Sequence, residues 1–210
     1  MQPLISSPSP ERRGVLLSGY SFILASGSPR RRELLASLGI GFTVMSPDID
    51  ETDYAGESAV DYVRRISREK ALAVCERVSP PALILAADTT VILDKTILAK
   101  PANADAARDM LRRLRGRDHQ VCTGMTLARL DNDLPPELLT EHALTTATMR
   151  DYSDAEIEAY IATGDPFDKA GGYAIQHEGF HPVASISGSY SNVVGLALET
   201  LEDMLDRIGG

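Results

Sequence analysis

The chain is poor in cysteine, with two in 210 residues, Cys75 and Cys122. That excludes a disulfide-built scaffold. One bridge is possible by count, but Cys75 falls on an expected helix and Cys122 in an expected strand, so free buried thiols are the expectation. Histidine is also scarce. His119, His142, His177 and His181 show none of the spacings of a zinc site. No apolar run approaches the ~18–20 residues that a transmembrane helix needs, so no membrane span is expected. Positions 1–9 are rich in proline and serine and lack a signal-peptide pattern, which makes the cytoplasm the expected location. No defensible Ser-His-Asp spacing, reactive-cysteine motif, Rossmann fingerprint or Walker A sequence is present. Positive charge is not in excess either. The formal net charge of -9 argues against nucleic acid or an anionic membrane as partner, yet leaves room for a small anion in a basic pocket.

What is present is apolar enough to fold. Hydrophobic residues make up 43%, and the length suffices for one domain with a real core or for two small lobes. Residues 1–19 read as a flexible extension. From Phe22 onward strands and helices alternate. Residues 22–25 form a short apolar strand, followed by a helix with Ser28 as N-cap, Pro29 at its first position and Gly39 at its end. Ser58 caps a second helix, with Val60, Val63, Ile66 and Ala73 as its apolar stripe. Residues 83–87 read as a buried strand, and 91–93 with 97–98 as a hairpin around Asp94-Lys95. Asn103 caps a third helix that Gly116 ends, and strands are expected over 120–130 and 144–150. Ser153 to Glu156 has the form of a capping box. A Gly-rich loop at 164–176 leads into a short strand, a strand follows at 183–187, and one helix covers 193–208. The alternation predicts an α/β fold with a mixed sheet.

Several residues break this pattern. Arg30, Arg31 and Arg32 open a helix, where the dipole is already positive and each cation costs ~0.3–1 kcal/mol. A solvated basic turn is the bland reading. The sharper one is a phosphate cradle, in which Gly27 allows close approach, Ser26 and Ser28 offer hydroxyls, and guanidinium forks grip phosphate oxygens. Lys70 lies on an apolar helical stripe, as a snorkelling side chain or as a cation held in a cleft. Asp88 ends an apolar run, where a carboxylate needs a partner, a cap or a metal. Lys100 precedes Pro101. Asp48, Asp50 and Glu51 cluster after Pro47, a solvated loop or a set of oxygens for Mg²⁺ shared with substrate phosphates. Asp168-Lys169 stands before Ala-Gly-Gly, as a surface turn or as part of the same site.

The ordered motifs LASGSPRRRELL, DIDE, REKA, AADTTVIL, LAKP, GDPFDKAGGYAIQ and GSYSNVVGL resemble those of the Maf nucleoside triphosphate pyrophosphatases, over about residues 22–207. The resemblance implies a single domain over 20–210, elongated and two-lobed, of the inosine-triphosphatase type with a central cleft. It implies a divalent cation, Mg²⁺ or Mn²⁺, and a homodimer. It implies that Asp88 acts as catalytic base, metal ligand or both, that Glu51 helps hold the metal, and that Glu51, Lys70 and Lys100 bind phosphates or support catalysis. Ser26, Arg30, Arg31, Asp168 and Lys169 fall to substrate binding. Arg30, Thr89 and Gln176 match the subgroup that acts on dTTP and UTP rather than on 7-methyl-GTP. Lys95 and His177 stand where glycine is common, and Ala197 where proline is frequent; His177 is expected near the base pocket. The implied reaction is attack at the α-phosphorus, giving the monophosphate and pyrophosphate. A nucleotide-sensing regulator of septum formation and cell division, with little turnover, is the alternative.

Overall fold

A computed structural model describes residues 19–132 and 134–208, so the expected N-terminal extension lies outside the described residues save for Gly19. Seven strands form one mixed sheet, in the order β2-β1-β3-β5-β6-β7, with β4 also paired to β3. β1 (Ser21–Ala25) and β2 (Thr43–Val44) are parallel and joined by α1 (Pro29–Ser37). The helix α2 (Ala59–Cys75) then leads to β3 (Ala82–Leu93), parallel to β1. After β4 (Thr96–Leu98) and α3 (Ala104–Leu114), β5 (Asp118–Leu130), β6 (Glu137–Met149) and β7 (Val183–Ser187) complete the sheet in antiparallel fashion. Between β6 and β7 lies α4 (Asp154–Ala162), and α5 (Tyr190–Val194) and α6 (Leu198–Ile208) close the described chain.

Period-two alternation along β3 divides the core. Leu83, Leu85 and Ala87 pack with Leu35 of α1 and with Leu201, Met204 and Leu205 of α6. Ala82, Ile84 and Ala86 face the other way, onto Ala71 and Val74 of α2. The far half of β3 enters a third cluster, in which Val91 and Leu93 meet Leu111, Leu114, Tyr152 and Tyr160. One close approach sets the position of α2: a Cβ at Gly124 of β5 would lie 2.3 Å from the Val63 carbonyl oxygen. Only glycine permits that contact.

The helix starts follow from local chemistry. Ser28, Ser58, Asn103 and Ser153 each accept an N–H of the first turn, and Ser153 with Glu156 forms the full capping box. Both cysteines are buried and free. Elsewhere the structure corrects the sequence reading. The strand expected at 83–87 and the first arm of the hairpin are one strand, so Asp88 is mid-strand. β5 pairs with every residue of β3 from 82 to 92, and this ladder carries the strand through Asp88-Thr89-Thr90. A second ladder, between β5 and β6, extends β6 back to Glu137, seven residues before the expected start at 144. The stripe on α2 runs through Ala71 and Val74, while Ala73 is only half-buried. The Gly-rich segment forms two short 3-10 turns, Asp165–Asp168 and Ala170–Gly172, and the described residues 173–182 after it form no strand before β7. The C-terminal helix is broken at Gly195, whose φ of +127° is not helical.

Candidate active site

The site begins at a gap in the sheet. One edge of β3 is paired to β1 over residues 82–86 and to β4 over 91–93. Between these, residues 87–90 have no strand partner on that side among the described residues. A cavity of about 560 Å³ opens there. The residues to which the resemblance assigns catalysis, metal or substrate binding line it: Ser26, Arg30 and Arg31; Glu51, Lys70, Asp88 and Thr89; Lys100, Asp168, Lys169 and Gln176.

Lys70 and Asp88 form its buried floor. Lys70 Nζ donates to Asp88 Oδ1 at 2.7 Å and lies 3.0 Å from Glu51 Oε1. Both Lys70 and Asp88 are more than nine-tenths buried, at 6% and 7% exposure. Lys70 is therefore neither snorkelling nor solvated. Of the acidic cluster, Asp48 and Asp50 lie outside the cavity, and Asp50 accepts from the N–H and hydroxyl of Thr52 instead. Only Glu51 of that cluster faces Lys70. The Tyr62 hydroxyl, also at the cavity, is pushed up to about 12 by burial and by the charges of Asp88 and Glu51.

The arginines divide. Arg32 is exposed and off the cavity. Arg30 reaches Asp168 Oδ2 at 3.3 Å. Arg31 is bound within the protein: Nε donates to the Gly195 carbonyl at 2.8 Å, Nη2 to Thr89 Oγ1 at 3.0 Å, and Nη1 to Ser26 Oγ at 3.5 Å. Burial lowers its pKa from the ordinary arginine value, against the pull of Asp88. The positive end of α1 thus meets its first compensation from a carboxylate and from a carbonyl at the end of α5. Thr89 Oγ1 also bonds Thr123 Oγ1 at 2.9 Å, so its hydroxyl belongs to this network.

Lys169 is similarly committed. Its ammonium donates to the Asp165 carbonyl, Asp165 Oδ1 and Asp168 Oδ1 at 2.7, 2.8 and 2.6 Å, which folds the 165–168 turn around it. Burial works to raise the carboxyl of Asp168, but Lys169 and Arg30 outweigh it and hold the pKa below the usual range. Lys100 and Gln176 are exposed at the cavity. His177 is not on it. Its Nδ1 accepts from the N–H groups of Gly179 and Phe180, and its ring meets Tyr160 edge-on at 4.8 Å. The expected place of His177 near the base pocket is therefore corrected: it caps a turn.

Residues not singled out from the sequence complete the walls. Val91, Val121, Tyr173 and Val193 make an apolar side continuous with the third core cluster. Tyr62 could have been found, since it stands eight residues before Lys70 on one helical face. The Gly195 carbonyl could not, because only the fold brings it to Arg31.

A family profile described as Maf-like protein matches residues 21–208. The chain belongs to this family. Its relatives in the Maf family include a dTTP/UTP pyrophosphatase of Myxococcus xanthus, 50% identical over 187 residues and covering 89% of this chain and 92% of that one. A dTTP/UTP pyrophosphatase of Alcanivorax borkumensis is 46% identical over 184 residues, covering 87% and 93%. Among solved structures, a HAM1 protein from Coxiella burnetii shares the fold, with a TM-score of 0.50 at 19% identity over 90% of this chain and 99% of that one.

The donor set suits a divalent cation that arrives with its substrate. Among the described residues no three acidic, histidine or cysteine side chains gather as a metal cage. Asp88 and Glu51 do converge, each engaging Lys70 through one oxygen. Two carboxylates completed by phosphate oxygens are what Mg²⁺ or Mn²⁺ takes in nucleotide sites.

Proposed function

We propose that this Maf-family chain is a nucleoside triphosphate pyrophosphatase that hydrolyses dTTP and UTP to the monophosphate and pyrophosphate, clearing the nucleotide pool. The observation that carries this is the Lys70–Asp88–Glu51 cluster at the floor of a cavity whose rim holds Arg30 and the start of α1. The names of the relatives point to the same substrates.

In this reading the triphosphate lies over the start of α1. The positive end of the helix and the guanidinium of Arg30 meet its oxygens, with Lys100 alongside. Arg31 shapes this wall, through Thr89 and Gly195, and contributes charge from behind. Lys70 holds Asp88 in place by the 2.7 Å contact, and Asp88 takes the proton of the attacking water. Glu51 and Asp88 would hold Mg²⁺ or Mn²⁺, which when bound supplies positive charge to the phosphate oxygens. The apolar wall around Tyr173 receives the base, and the Gln176 amide offers both a donor and an acceptor to its edge. The enzyme acts in the cytoplasm as a homodimer, with the nucleotide as its partner and neither nucleic acid nor membrane.

The sensor reading is not favoured, because nucleotide binding without turnover has no use for a buried Lys–Asp pair at the cavity floor. The test is kcat/KM for dTTP, UTP, CTP, ATP, GTP and 7-methyl-GTP under one Mg²⁺ condition. A mismatched base edge loses hydrogen bonds to Gln176 worth about 0.5–1.5 kcal/mol each, so dTTP and UTP should lead by roughly tenfold. A lead for 7-methyl-GTP would overturn the pyrimidine assignment. Binding without turnover of any of them would restore the sensor.

A further inference from the structure

Glu51 lies in an irregular stretch between the end of β2 at Val44 and the start of α2 at Ala59. Its side chain is 45% exposed, so burial does not fix it. What fixes it is α2. The Tyr62 hydroxyl donates to the Glu51 carbonyl at 3.0 Å. Arg65 Nη2 donates to the next carbonyl, that of Thr52, also at 3.0 Å. The same guanidinium forks onto Glu57 through Nε at 2.7 Å and Nη2 at 2.8 Å. Its Cζ stands 3.9 Å from the centroid of the Tyr54 ring and 5.6 Å from that of Tyr62. Glu69, one turn on, steadies Nη1 at 3.3 Å. Two side chains therefore catch segment 51–57 at four places: two successive carbonyls, one ring and one carboxylate. Tyr62, Ile66 and Lys70 recur at four-residue spacing, so the helix that supplies the ammonium also supplies the grip on the carboxylate facing it.

We propose that Tyr62 and Arg65 are positioning residues that hold Glu51 at the Lys70 ammonium. The proposal rests on the reading above, in which Glu51 serves the reaction, and it assigns two residues that need not touch the substrate themselves. Arginine is required at 65 because lysine has neither the fork for Glu57 and Thr52 nor the flat face for Tyr54.

The experiment compares Tyr62→Phe, Arg65→Lys, Glu51→Gln and the double variant Tyr62→Phe/Glu51→Gln with the unaltered protein. Turnover of dTTP with Mg²⁺ and hydrogen exchange of residues 50–57 are both read. Tyr62→Phe keeps the ring and loses one hydrogen bond, so kcat should fall roughly 3- to 10-fold. The nucleotide KM should stay within about twofold, because the loss is in positioning rather than in substrate contact. Exchange should rise over 50–57 and nowhere else, and further in Arg65→Lys. In the Glu51→Gln background Tyr62→Phe should have no additional effect, as expected of residues acting through one another. Unchanged kcat and exchange in Tyr62→Phe would overturn the proposal. So would multiplication of the two losses in the double variant, or full activity of Glu51→Gln. If the unaltered protein turns over no nucleotide, the pyrophosphatase reading fails, and the clamp then stands or falls on the exchange of 50–57.

Discussion

Lys70 Nζ donates to Asp88 Oδ1 across 2.7 Å, and both residues are buried at the floor of the cavity. The pair is not symmetric. Lys70 has a second anionic partner in Glu51, whereas no other cation stands within ion-pair distance of Asp88 among the described residues. Breaking a buried pair from one side leaves an uncompensated charge, at about 3–5 kcal/mol. Lys70→Met leaves two facing carboxylates without their ammonium, and Asp88→Asn leaves the ammonium with Glu51. Lys70→Met should therefore be the more destabilising of the two by denaturant unfolding. Equal losses would mean that Glu51 contributes nothing to the pairing.

Arg30 and Arg31 should separate in the same kind of measurement. Arg31→Ala removes the ties to Gly195 and Thr89, and a hydrogen bond from a charged group is worth about 1.5–3 kcal/mol. A drop in Tm of the nucleotide-free protein is expected. Arg30→Ala breaks one long contact to an exposed carboxylate and should leave Tm nearly unchanged while weakening nucleotide binding. A reversed order would mean that Arg31, not Arg30, is the guanidinium presented to phosphate.

The hairpin turn carries strain that can be relieved. Asp94 and Lys95 have φ of 51° and 68°, the left-handed conformation a two-residue hairpin requires. Lys95 lies off the cavity. Lys95→Gly should stabilise the protein by about 1 kcal/mol or less, with kcat/KM for dTTP unchanged. Destabilisation would show that the Lys95 side chain makes a contribution larger than its backbone cost.

His119 gives stability a pH dependence of known sign. Burial lowers its pKa from 6.5 to about 4, so the folded protein binds fewer protons than the unfolded chain between those values. Its contribution is full above about pH 6.5 and is lost as the pH falls toward 4, amounting to roughly 3 kcal/mol. The carboxylates of Glu156, Asp165 and Asp168 are held low and lose their contribution in a more acidic window, below their ordinary range. In His119→Gln the slope of unfolding free energy between pH 6.5 and 4.5 should flatten. An unchanged slope would assign it to another group.

The parts of this molecule that local chemistry decides were legible in the sequence. Four helix starts follow from Ser28, Ser58, Asn103 and Ser153, because an N-cap is a contact over three residues. The residues that the family's motifs assign to the site lie far apart in the sequence, and the fold gathers them in one cavity. What the sequence hid depends on distant partners. Asp88-Thr89-Thr90 looks like a strand end, but the ladder to β5 runs through it. The break at Gly195 matters because its carbonyl receives Arg31 from 164 residues away. Arg31, expected at the phosphate, lines the cavity and also ties α1 to α5. His177 adjoins Gln176, and the turn directs its ring toward Tyr160 rather than into the cavity.

In the proposed reaction water attacks the α-phosphorus of dTTP and Asp88 takes its proton. Hydrolysis in ¹⁸O-labelled water tests it most directly. The label should appear in dTMP, with unlabelled pyrophosphate formed in equal amount. Asp88→Asn should slow that reaction by ~10²–10⁴-fold while the protein still binds dTTP. Label in pyrophosphate, or release of orthophosphate with dTDP, would contradict attack at the α-phosphorus, and near-normal turnover by Asp88→Asn would remove Asp88 from the reaction.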